Sequence, residues 1–205
     1  MDLTEYLDPL TDPLPPNKPQ IRKIIQKLSP YKALRPNGIP NIVLQKCYDL
    51  IANHLLYIYQ AILEMEVFNP NPWHEFITVV LRKPDKPDYE LPKAYRPITL
   101  ISTMAKVLTA LVGENISWLV KQHQLLPKTH FGGRPGRTTA DSIHYLICKV
   151  KRACMVQRPG GLSTFPQCGG SFLNAVMDHL IHNLKKRRIP EVYMKFIKLL
   201  PHWQS

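Results

Sequence analysis

Hydrophobic residues recur along this chain in short helical stripes, interrupted once by two runs with the composition of strands. Ile21, Ile24, Ile25 and Leu28 lie three or four apart and define one face of a helix, with Arg22, Lys23 and Lys27 on the other. Pro19 suits the first turn of that helix. A second helical region starts after Pro40 and turns Leu44, Cys47, Tyr48, Ile51, Leu55, Ile58, Tyr59 and Ile62 toward a core, until Asn69-Pro70-Asn71-Pro72 stops it. Phe76-Ile77-Thr78-Val79-Val80-Leu81 then reads as a strand, and Tyr95-Arg96-Pro97-Ile98-Thr99-Leu100-Ile101 as its return. Folding the pair about Tyr89 brings Arg82 and Lys83 near Tyr95 and Arg96.

Helical spacing resumes with Met104, Val107, Leu108, Leu111 and Val112, capped by Ser102 or Thr103. Thr138 stands three residues before Asp141, the spacing of a capping box, so a helix starts there with the stripe Ile143, Ile147, Val150 and Cys154. Two more patterns follow: Val176, Leu180 and Leu184, then Tyr193, Phe196, Ile197 and Leu200 after Pro190. Glycine and proline punctuate the rest. Asn37-Gly38, in the turn at 32–40, suits positive φ, and residues 157–173 are broken by both residue types. The expected class is α+β, mainly helical. Its parts are an acidic, proline-rich linker or loose arm at 1–18, a central region at 19–156 and a breaker-rich region at 157–205.

Charge sharpens this picture. The 205 residues carry a net +12, while residues 1–20 hold Asp2, Glu5, Asp8 and Asp12 against Lys18 alone, so the basic excess lies in the remainder. A surface of that kind attracts polyanions through counterion release, and nucleic acid is the first partner to expect. Cys47, Cys148, Cys154 and Cys168 show no paired spacing, so neither a disulfide framework nor a zinc knuckle is expected. No secretory leader and no run of membrane-spanning length is visible. A cytoplasmic or nuclear location is expected, with no membrane partner.

Two features carry candidate chemistry. Lys83 and Arg96 would offer a point charge and a planar fork to the phosphates of a nucleotide, or they simply solvate a hairpin tip that also holds Asp85, Asp88 and Glu90. The segment Gly132-Gly133-Arg134-Pro135-Gly136-Arg137 joins glycines to arginines just before a helix N-terminus, where backbone amides favour anions. His179 with His182, and His144 with Cys148, have helical spacing but no evident third ligand, so no metal-ligating residue is assigned.

Together these stretches resemble the fingers of a reverse transcriptase of the non-LTR, LINE-like retrotransposon type. The resemblance rests on residues 76–83, on Tyr95-Arg96-Pro97-Ile98-Thr99-Leu100 with Lys106, and on Phe131-Gly132-Gly133-Arg134-Pro135-Gly136-Arg137-Thr138-Thr139-Ala140-Asp141. The turn at 32–40 is similar to the element that precedes the fingers, although Leu34, Arg35 and Asn37 stand where Pro, Gly and Asp are usual. It implies fingers at 19–156, an incomplete palm at 157–205 and no thumb. It also implies that Lys83 and Arg96 contact an incoming nucleotide, and that Arg134, Gly136 and Arg137 lie against template or primer.

The departures concern catalysis. Intact members of the family use Mg²⁺, held in part by an aspartate at the end of a palm strand, and the same register here holds Gln167. A neutral amide cannot replace a carboxylate that bridges two metal ions. Past Asp141 the only acids are Asp178 and Glu191, and the paired-aspartate hairpin of the family does not occur before Ser205. No catalytic residue and no cofactor are therefore assigned. The expectation is a degenerate, truncated relative of an RNA-directed DNA polymerase, inactive but retaining a surface for RNA or DNA. The alternatives are a non-catalytic basic binding module and a retroelement remnant without function.

Overall fold

A computed structural model describes residues 6–32, 38–67, 73, 77–134, 136–155 and 176–199. The 33–37 part of the early turn, Gln167 and most of the breaker-rich region lie outside the described residues. The chain runs α1 (Lys18–Gln26), α2 (Asn41–Lys46), α3 (Tyr48–Glu64), β1 (Ile77–Arg82), a 3₁₀ turn (Pro92–Ala94), β2 (Tyr95–Leu100), α4 (Thr103–Gln122), α5 (Thr139–Met155), α6 (Met177–Lys186) and α7 (Glu191–Lys198). Among the described residues, seven helices with one small antiparallel sheet make a mixed, helix-dominated fold, compatible with α+β. No described helix is long and apolar enough to cross a membrane. The chain divides into two compact units, residues 1–118 with 177–205, and residues 119–176.

The first unit is organised around stripes that the sequence announces. In α1, Ile21, Ile24 and Ile25 are buried, Pro19 occupies the first turn, and the Asn17 side chain caps the helix by accepting from the Gln20 amide at 2.9 Å. From α2 the Gln45 amide donates to Leu28 O at 2.8 Å and Ile25 O at 3.1 Å, satisfying carbonyls at the end of α1. The second helical region is broken at Cys47 rather than continuous. Its buried set is Leu44, Tyr48, Ala52, Leu55, Tyr59, Ile62 and Leu63, while Ile58 is left 44% exposed. Tyr59 decides that rotation. It is fully buried, its hydroxyl donates to Met104 O at 3.1 Å, and Ile58 lies about 100° around the helix from it.

Val107, Leu108, Leu111 and Val112 of α4 are buried as their spacing requires, and Asn115 continues the same stripe at 3% exposure. A buried amide is costly unless hydrogen-bonded. Its Oδ1 accepts from Gln20 Nε2 at 2.8 Å, and its Nδ2 donates to Leu14 O and the Tyr193 hydroxyl, both at 3.3 Å.

The acidic arm is tied down rather than loose over its described length. The Leu14 amide donates to the Tyr193 hydroxyl at 2.8 Å, the Leu10 amide to Arg188 O at 3.0 Å, and Arg188 Nε to Asp8 O at 2.6 Å. Arg188 makes the last two bonds from the turn between α6 and α7, with φ of +58°, a left-handed conformation that few arginines adopt. In α6 the buried residue is Ile181, not Val176, which precedes the helix and is exposed. In α7, Tyr193, Met194 and Phe196 are buried.

In the second unit α5 forms where its capping box places it, yet Ile143, Ile147 and Val150 are 53%, 45% and 38% exposed. Periodicity sets which residues share a face but is silent on what covers it. Cys154, the fourth member of that stripe, has a side chain outside the description.

Asn115→Ala should lower unfolding stability by about 2 kcal/mol in urea denaturation, because Leu14 O and Gln20 lose a partner in a buried setting. A loss below about 0.5 kcal/mol would mean that water replaces the amide without penalty.

Candidate nucleic-acid interface

The hairpin aligns its cations through strand register. Arg82 pairs with Tyr95 and Leu81 with Arg96, as expected for a fold about Tyr89. The ladder continues one step further, with the Lys83 amide donating to Ala94 O at 2.9 Å. Side chains alternate along a strand, so Leu81, Lys83 and Arg96 fall on one face of the ribbon and Arg82 and Tyr95 on the other. Lys83 Nζ donates to Lys93 O at 2.8 Å, and the Tyr89 hydroxyl donates to Lys83 O at 3.0 Å, so the loop end is braced from within. The Arg82 guanidinium lies 5.4 Å from the Tyr89 ring centre, and Tyr89 meets Tyr95 edge-on. Arg96 is exposed. Pro97, opposite Val80, has no amide to give, which a two-stranded ribbon tolerates.

The second candidate stretch lies in the second unit. Gly133 and Gly136 have φ of +65° and +73°, a backbone region open to glycine at little cost. The two arginines divide their roles. Arg134 Nη1 donates to Pro127 O at 3.3 Å and His130 O at 3.4 Å, which holds the loop together. Arg137 instead covers the Phe131 ring at 5.4 Å. The capping box closes as its spacing requires. Asp141 Oδ2 accepts from the Thr138 amide at 2.7 Å and from its hydroxyl at 2.9 Å, and Thr138 Oγ accepts from the Asp141 amide at 3.2 Å. The bond from the Thr138 amide, followed by that from its hydroxyl, holds the Asp141 carboxyl below its ordinary range, with Arg137 and His144 adding smaller attractions.

Around this loop a depression of about 370 Å³ is lined by Phe131, Arg137, Asp141, His144, Tyr145, Cys148, Lys149 and Arg152. Only its Arg137 edge belongs to the glycine–arginine motif. Tyr145 and Lys149 escaped the sequence reading, although their spacing of four on a helix was a legible sign that they share a face. His144 Nε2 and Cys148 Sγ approach to 3.5 Å. Among the described residues no group of three or more His, Cys, Asp or Glu is arranged to hold a metal ion. Lys83 and Arg96 are thus brought together in one unit, and Arg134, Gly136 and Arg137 in the other.

No family model matches the chain. It is 31% identical, over 73% of its length, to a probable RNA-directed DNA polymerase from transposon BS of Drosophila melanogaster, of which it covers 17%. A probable RNA-directed DNA polymerase from transposon X-element of the same species is 28% identical over 69% of the chain, which covers 15% of that protein. The RNA-directed DNA polymerase from mobile element jockey, also of Drosophila melanogaster, is 22% identical over 85% of the chain, with 19% of that protein covered. The chain is therefore a reverse-transcriptase-like segment. Its homologues are the RNA-directed DNA polymerases of non-LTR transposons, and it spans less than a fifth of the length of those it matches.

Because folding depresses the Asp141 carboxyl, the capping contribution is complete above about pH 4, the ordinary unfolded value, and is lost as pH falls through the lower folded value. The Thr138 amide resonance should titrate with a midpoint below the ordinary aspartate value, and Asp141→Asn should abolish that titration. A midpoint at the ordinary value would show that the box is open in solution.

Proposed function

We propose that this chain is a reverse-transcriptase fingers module that grips nucleic acid and does not polymerise by itself. The observation that carries the reading is the hairpin register, which pairs Leu81 with Arg96 and extends by one bond to Lys83, so that alternation assigns a point charge and a planar fork to the same ribbon face, in a segment homologous to RNA-directed DNA polymerases. Lys83 and Arg96 would take nucleotide or backbone phosphates, while Gly136 and Arg137, with Arg134 bracing the loop, would face template or primer. Residues 19–156 would be the fingers-like region and 157–205 a degenerate palm region.

The described residues do not fit a two-metal centre. No described cluster of carboxylates exists, and Asp178 and Glu191 stand in the first turns of two different helices. By the resemblance, Gln167, outside the described residues, would stand in the register of the family's metal-binding aspartate. No step through Mg²⁺ follows for this chain.

Primer extension by the purified chain should be absent with either Mg²⁺ or Mn²⁺, and Gln167→Asp alone should not restore it. Template-dependent incorporation by protein free of contaminating polymerase would overturn the proposed inactivity.

Binding to primer–template should weaken steeply with salt and show little sequence preference. Replacing Lys83, Arg96 and Arg137 by Gln should lower the affinity and reduce the slope of log K against log salt by about 3, one unit for each lost phosphate contact. Unchanged affinity in the triple variant would place the binding surface elsewhere. Absence of binding by the parent chain would favour a remnant without function.

A further inference from the structure

The depression beside the 132–137 loop is better furnished than a phosphate grip requires. It carries two aromatic rings, Phe131 and Tyr145, whose centres are 5.8 Å apart and whose planes are inclined at 49°. Each ring has its own cation, Arg137 at 5.4 Å over Phe131 and Lys149 at 5.3 Å over Tyr145. Arg152 adds a third positive charge, and the one carboxylate in the lining, Asp141, is bonded to Thr138. At about 100° per residue, Asp141, Tyr145, Cys148, Lys149 and Arg152 share one side of α5, and Ile143, Ile147 and Val150 fall about 180° away. The aromatic–cationic side therefore faces away from the apolar stripe.

We infer that this side of α5 is a seat for single-stranded nucleic acid, stacking unpaired bases on Phe131 and Tyr145 while Arg137, Lys149 and Arg152 hold the phosphates. The inference rests on the nucleic-acid reading above and extends it from the glycine–arginine loop to α5. Ring faces accept any base but only one that is unpaired, whereas cations alone would hold duplex equally well. From Asp141 to Arg152 the helix rises about 16 Å, enough for a few nucleotides.

The test measures binding of the full chain to twelve-nucleotide single strands, oligo-U RNA and oligo-T DNA, and to a blunt duplex of equal length. Phe131→Leu and Tyr145→Leu should each weaken single-strand binding about ten-fold and leave duplex binding within about two-fold. Tyr145→Trp should retain single-strand binding, which separates loss of stacking from loss of fold. Lys149→Gln with Arg152→Gln should reduce the single-strand salt slope by about 1.4. Ultraviolet crosslinking of a 5-iodouracil strand should label peptides containing Phe131 or Tyr145. Equal losses on duplex, or crosslinks confined to other peptides, would overturn the seat while leaving the broader reading in place. Failure of the parent chain to bind either form would overturn both.

Discussion

A single buried amide ties three separate segments of the first unit to α4. Asn115 lies where the apolar stripe of α4 would otherwise continue, and its bonds reach the arm at Leu14, α1 at Gln20 and α7 at Tyr193. An apolar residue there would add burial but leave Leu14 O and the Gln20 amide without that partner. Amide and carbonyl groups must be satisfied in one arrangement, whereas apolar contact tolerates many. The Tyr193 hydroxyl shows the same economy, accepting from the Leu14 amide while burial raises its pKa above that of an ordinary tyrosine. Around this group the ion pairs are secondary. Lys195 with Glu66, and Lys23 and Lys27 with Glu114, are partly or largely solvent-exposed, and pairs of that kind contribute little.

The candidate interface depends on more local rules. Register, extended by the bond from the Lys83 amide to Ala94 O, assigns Lys83 and Arg96 to one side of a ribbon, and Lys93 O and Tyr89 brace the end of that ribbon. The loop at 132–137 is built likewise. Arg134 grips two carbonyls of the preceding turn, two glycines take positive φ, and the capping box starts α5 at a fixed point. That start determines which residues of α5 stand beside Arg137. Capping thereby links a local backbone preference to the composition of a surface depression.

Much of this was legible in the residues themselves. The pairing of Arg82 with Tyr95, the box between Thr138 and Asp141, and the stripes of α1 and α4 all follow from spacing. Lys83, Arg96 and Arg137 could be named as candidates because glycine, arginine and strand-forming residues occur there in a restricted order. Tyr145, Lys149 and Arg152 could not. On one helix with mixed composition they look like ordinary surface residues until Phe131 and Arg137 are folded against them.

Local geometry is written in the sequence because each residue advances the chain by a fixed rotation, about 100° in a helix and 180° in a strand. A spacing of three or four in a helix, or of two in a strand, is then enough to say which side chains share a face. Burial has no such local code. Ile58 and Tyr59 are neighbours of similar hydrophobic character, and only the packing of α3 beneath Met104 leaves one exposed and the other enclosed. The apolar stripe of α5 is as regular as that of α1, yet it stays open to solvent. The tie between Leu14 and Tyr193 joins residues 179 positions apart, and no period in the chain relates them. Tertiary structure alone decided those pairings, because they depend on which distant groups can satisfy one another's hydrogen bonds in the same buried space.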